Sequence, residues 1–74
     1  MMRKKEEKIM LLTLNTDMFT DDMKNEVEKQ YKVNDILLVQ MKGIYKNDFV
    51  SWLKDKFKNV EPDEENKGFY KLIK

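Results

Sequence analysis

The run Ile36-Leu37-Leu38-Val39-Gln40-Met41 is apolar at every position but one. It is bounded by Asn34-Asp35 before it and Lys42-Gly43 after it. A run this short and this apolar reads as a strand buried on both faces rather than as a helix. A second run of the same kind, Ile9-Met10-Leu11-Leu12-Thr13-Leu14, also carries apolar side chains at both parities of the strand alternation. Both strands want cover on two faces, and a chain of 74 residues has room for only one core to provide it. A domain of that size buries only about 60% of the surface its unfolded chain exposes. Neither Cys nor His occurs, so a disulfide and the usual zinc ligands are both excluded as staples. Oligomerisation or partner binding is the remaining route to added stability.

Between the two runs the pattern is helical over residues 21–31, where Phe19, Met23, Val27 and Tyr31 recur every four residues while Lys24, Glu28 and Lys32 turn away. Glu28 and Lys32 have the favoured i to i+4 order. Thr16 and Thr20 both qualify as the cap, each followed by acids that suit a helix N-terminus. A second helix is expected from a cap at Asn47 or Asp48, through Phe49, to about Asn59. Phe49, Val50, Leu53, Phe57 and Val60 share one of its faces, and Ser51, Lys54, Asp55 and Lys58 the other. Pro62 and the acids around it read as a loop over residues 61–68, and residues 69–74 as a closing edge strand.

The expected fold class is therefore α/β (or α+β), a small β-α-β-α-β domain with a three-stranded sheet packed by two helices. It forms a single domain over residues 1–74, residues 1–8 being a charged tail or the lead-in to the first strand. If the first two strands are parallel, the helix joining them is a crossover of ordinary length. Two helices on one face of the sheet would leave the other face apolar and in need of a dimer mate or protein partner. The alternative takes residues 58–73 as a β-hairpin, giving a winged-helix-like C-terminal half.

Charge sets limits on the partner. Fifteen Lys plus Arg against 14 Asp plus Glu leave a formal net of +1, so no whole-molecule field steers the chain to nucleic acid or membrane. The basic start resembles that of a signal peptide, but the apolar run after it, residues 9–12, is too short for an exported core. No stretch approaches the roughly 20 apolar residues of a membrane span, and a cytoplasmic, membrane-free protein is expected. The absence of Ala and the strong use of Lys over Arg match AT-rich coding, as in low-GC bacteria and their phages.

Without His and Cys, Ser-His and Cys-His nucleophilic catalysis are excluded and the commonest general base is missing. Two glycines cannot build a phosphate loop. Asp17, Asp21 and Asp22, and likewise Asp63, Glu64 and Glu65, lack calcium-loop spacing and sit where caps and loops favour acids. Gly43-Ile44-Tyr45 spells the opening of the GIY-YIG nuclease signature, but its second half and any downstream Arg are missing. Parallel first and second strands would bring Asn15, Thr16 and Asp17 near Lys42 and Tyr45, where open sheets bind ligands.

The most suggestive segment is residues 42–58, where five lysines stand against Asp48 and Asp55, interleaved with Tyr45, Phe49, Trp52 and Phe57. Phe49 and Phe57 fall on the buried side of the helix, which leaves Trp52 beside Lys56 as the ring free to stack. The expectation is a non-enzymatic binding or regulatory protein with no metal or cofactor. It acts through a protein–protein interface, with a separate partner or as a homodimer, on the uncovered sheet face or the Trp52 edge. The competing expectation is a nucleic-acid-binding module with Lys46, Lys54, Lys56 and Lys58 on phosphates, Trp52 stacking and Tyr45 nearby.

Overall fold

The computed structural model describes residues 8–73. The elements run β1 Ile9–Asn15, α1 Asp21–Val33, β2 Ile36–Lys42, α2 Lys46–Lys56, β3 Val60–Pro62 and β4 Tyr70–Ile73. They form a small α+β domain around one four-stranded sheet of order β1-β2-β4-β3. β1 and β2 are parallel with α1 as the crossover, while β4 runs antiparallel to both β2 and β3. The expectation for the first residues falls outside the described part except at Lys8, whose carbonyl accepts from the N–H groups of Asp35 and Ile36 at 2.8 and 3.1 Å.

The sheet has one strand more than the sequence suggests. β3 is Val60 with Glu61 and Pro62, the first two residues of the stretch expected to be loop, and it pairs Val60 with Leu72 and Pro62 with Tyr70. Three residues carry no period, and Pro62 reads as a breaker. It is tolerated because β3 is an edge strand, where a missing N–H costs no ladder bond on the outer side. The hairpin of the alternative thus exists, but it joins the β1-β2 sheet through β4 instead of forming a winged-helix-like half.

The two helix starts differ in how they are capped. Thr20, not Thr16, is the residue before α1, with extended backbone; its N–H donates to Met23 Sδ at 3.5 Å, and Asp21 and Asp22 occupy the first turn. Thr16 instead accepts the Met18 N–H on its hydroxyl at 3.1 Å, shaping the β1–α1 loop. α2 begins at Lys46 after Tyr45, which makes no side-chain cap bond, so neither Asn47 nor Asp48 is the cap. It ends at Lys56, three residues short of the expected end, because the chain turns extended at Phe57 to enter β3.

The core is Val27, Leu37, Val39, Met41, Phe49, Leu53 and Leu72, with Met10, Leu12, Leu14, Phe19, Met23, Tyr31, Trp52, Phe57, Val60 and Tyr70 packed around it. Within each strand the members of that cluster share one parity, and the register sets them side by side, Met10 with Leu37 and Leu37 with Leu72, so both helices cover the same face of the sheet. Full burial of each such aliphatic side chain contributes about 1.5–3 kcal/mol. The two apolar runs wanted cover on two faces, and the helices provide it on one.

Candidate functional site

The strand register orders the other face into rows. Ile9, Ile36 and Ile73 lie side by side; Leu11, Leu38, Lys71 and Glu61 form the next row. Thr13 beside Gln40 and Asn15 beside Lys42 complete the face, and Thr13 Oγ1 donates to Gln40 Oε1 at 3.4 Å. One end of the face is therefore apolar and the other polar. Ile9 and Leu11 are each 53% exposed and Ile73 36%, while Leu38 is only 6% exposed.

Leu38 is sheltered because the β3–β4 loop leans over this face. Ile9, Ile36, Leu38 and Lys71 together with Glu61, Pro62 and the loop residues line a groove of about 350 Å³. The loop holds its own shape. Asp63 N–H donates to the Phe69 carbonyl at 3.0 Å, while the Asp63 carboxylate accepts from Glu65 N–H at 3.2 Å and Asn66 Nδ2 at 2.8 Å. The Asn66 amide, with smaller help from the Glu65 N–H and the Lys71 charge, keeps the Asp63 carboxyl below its ordinary value. Gly68 makes the closure possible: its φ is +90°, and a Cβ there would stand 2.7 Å from Gln40 Nε2. Glu61, Asp63, Glu64 and Glu65 thereby rim an apolar floor.

The residues singled out on the second helix are not gathered in one place. Trp52 is half-buried and sits against Phe19, Phe49 and Phe57 at centroid distances of 5.7, 6.1 and 5.8 Å. Its ring completes the aromatic layer between loop and helix. Lys56 Nζ pairs with Glu28 Oε1 of α1 at 3.0 Å. Lys56 and Lys58 share a second groove of about 380 Å³ with Tyr31, Lys32, Phe57 and Ile73. Lys46 and Tyr45 lie at the opposite end of α2, about 15 Å away at the helical rise. Lys54 is exposed between them.

The ends of the parallel strands meet as their pairing requires. Thr16 N–H donates to the Lys42 carbonyl at 3.1 Å, and Gly43 packs so tightly on Thr16 that its φ is +148°. That approach explains Gly43 without any nuclease motif. Among the described residues, no three His, Cys, Asp or Glu side chains are grouped to hold a metal ion. Nor is any helix among them long and apolar enough to cross a membrane.

Ile9, Leu11, Ile36, Leu38 and Ile73 were not individually singled out by sequence. The alternation places them on one face, but the register that lines them up involves β4, whose direction the residues leave open. No protein-family model matches the chain, and comparison with curated proteins and with solved structures returns no significant match.

Proposed function

We infer that the chain is a small non-enzymatic binding protein whose working surface is the uncovered face of its sheet. The observation that carries this reading is the pair of apolar rows, Ile9-Ile36-Ile73 and Leu11-Leu38, left without a helix. Contiguous exposed apolar surface with a polar rim is characteristic of protein docking sites. The acids of the β3–β4 loop select a partner that offers an apolar segment flanked by Lys or Arg, since like charges at the rim repel acidic surfaces.

The experiment is capture of partners from lysate by the wild type, Leu11→Asp and Lys56→Ala/Lys58→Ala, each with and without nuclease. A protein recovered by the wild type and by the lysine variant, lost with Leu11→Asp and indifferent to nuclease supports the docking face. Recovery that vanishes with nuclease or with the lysines overturns it in favour of the second reading. That reading places an anionic partner, nucleic acid included, in the groove of Lys56, Lys58, Phe57 and Tyr31. Its signature is a steep fall of binding with salt. The Lys56–Glu28 pair leaves that groove with less free charge than its composition suggests, and the Trp52 ring is not part of its lining.

A further inference from the structure

The groove under the β3–β4 loop is unbalanced in charge. Glu61, Asp63, Glu64 and Glu65 line it against a single cation, Lys71. The Asp63 carboxylate is satisfied inside the loop by the Glu65 N–H and the Asn66 amide. Glu61, Glu64 and Glu65 are exposed, and among the described residues none of them forms a salt bridge. The strand order also arranges the lining. β1 and β2 contribute the apolar Ile9, Ile36 and Leu38, β4 contributes Lys71, and the acids lie beyond it on β3 and the loop.

Residues 1–7, Met-Met-Arg-Lys-Lys-Glu-Glu, precede the first described residue, Lys8. Lys8 is fixed at the foot of β2, where its N–H donates to Asp35 Oδ2 and its carbonyl accepts from Asp35 and Ile36. The next residue, Ile9, is already a wall of the groove.

We propose that Arg3, Lys4 and Lys5 of the same chain occupy this groove, crossing the open face of the sheet from β1 towards the β3–β4 loop. Charge order selects the occupant. Counted back from Lys8, the chain carries first two acids, Glu7 and Glu6, and then three cations, Lys5, Lys4 and Arg3. An extended chain leaving Lys8 reaches Lys5 after about 10 Å and Arg3 after about 17 Å. β3 lies three strand spacings from β1, about 14 Å. The cations therefore arrive at the acidic rim. Glu6 and Glu7 stay on the β1 side, with Lys71 between them and the rim. Long basic side chains lay their stems on apolar surface while the charged heads reach outward. The same three residues thus cover Ile36 and Leu38 and set their charges against Glu61, Glu64 and Glu65.

Attachment favours this occupant over a free peptide of the same chemistry. A short tether gives an effective concentration on the order of millimolar, so contacts that are individually weak suffice. The proposal stands on the groove and the charge order, not on the docking-face reading. Where both hold, a partner must displace residues 3–5 to reach that end of the face.

The chain has no Cys, so Met2→Cys gives a single site for a nitroxide, whose broadening of amide signals is read by NMR on the full chain. The expected result in low salt is loss of signal at residues 64–66, with Phe49 and Leu53 on the helix-covered side as unaffected references. At about 1 M salt, where the screening length falls to about 3 Å, the lost signals should return. Lys4→Glu/Lys5→Glu in the labelled chain should also restore them. Adding Glu64→Lys/Glu65→Lys to that chain should bring the loss back. Glu65 holds Asp63 through its backbone N–H, so these side-chain changes keep the loop.

Signals at residues 64–66 that stay sharp in low salt overturn the proposal. A loss that survives high salt or the charge reversal overturns it too, since it marks a tether lying near the loop without pairing to it. So does a charge swap that fails to bring the loss back. Spin-labelled chain mixed with isotope-enriched chain that lacks the label should leave the signals sharp. Loss in that mixture places the segment on a second copy and overturns the intramolecular contact. None of these outcomes alters partner capture by the wild type against Leu11→Asp, so the docking-face reading stands or falls separately.

Discussion

A Cβ on Gly43 would lie 2.0 Å from the carbonyl oxygen of Thr16, because the turns leaving β1 and β2 run against each other. The obstacle is backbone, and Gly43 also holds φ at +148°, where L-residues are strained. Gly43→Ala should therefore cost about 2 kcal/mol or more. For a domain of this size that lowers the thermal midpoint by roughly 10 °C. A midpoint within a degree or two of wild type in calorimetry would mean that these turns separate easily.

Gly68→Ala meets a softer obstacle, the end of the Gln40 side chain. The chain should lose about 1 kcal/mol, mostly from the φ of +90°. The cost is local, and faster exchange at Asp63 and Phe69 amides, which close the loop, is the measurement that reports it. Uniformly faster exchange across β2 would contradict a local effect.

Trp52→Ala separates a packing role from a stacking one. The ring touches three other aromatics, and its removal should destabilise the fold by about 3 kcal/mol. Denaturant unfolding checks this. An unchanged midpoint would show that the ring contributes little to the core and is held for a partner. Lys56→Ala, by contrast, should cost less than about 1 kcal/mol, since its pair with Glu28 is largely solvated.

Asp63 supplies a pH dependence with a definite sign. The Asn66 amide first, then the Glu65 N–H and Lys71, favour its ionised form, so its folded pKa lies below the ordinary 3.8. The ionised carboxylate therefore contributes to loop stability above that value, and the contribution is lost as pH falls through the folded pKa. NMR titration should place the Asp63 midpoint below 3.8, with the Glu65 and Asn66 amides shifting in the same step. Asp63→Ala should abolish that coupled shift. A midpoint at or above the ordinary value would mean that the loop does not hold the carboxylate.

Residue pattern alone was enough to place the two apolar runs as strands, the helix between them and the face of α2 carrying Phe49 and Leu53; that the first run leaves one side exposed was not visible in it. It was also enough to exclude the His- and Cys-dependent chemistries, and to show that two helices on one face would strand an apolar sheet surface. Tertiary structure alone decided the rest. The three-residue strand with Pro62 has no period to detect and exists only because β4 pairs with it. Trp52, at the margin of a helical wheel, is drawn into contact by Phe19 from the loop before α1, a neighbour separated by more than a helix in sequence. The row Ile9-Ile36-Ile73 joins residues from three distant segments. Local sequence determines which side of a strand each residue faces, whereas pairing between distant strands determines which residues become neighbours, and the candidate docking face is a property of neighbours.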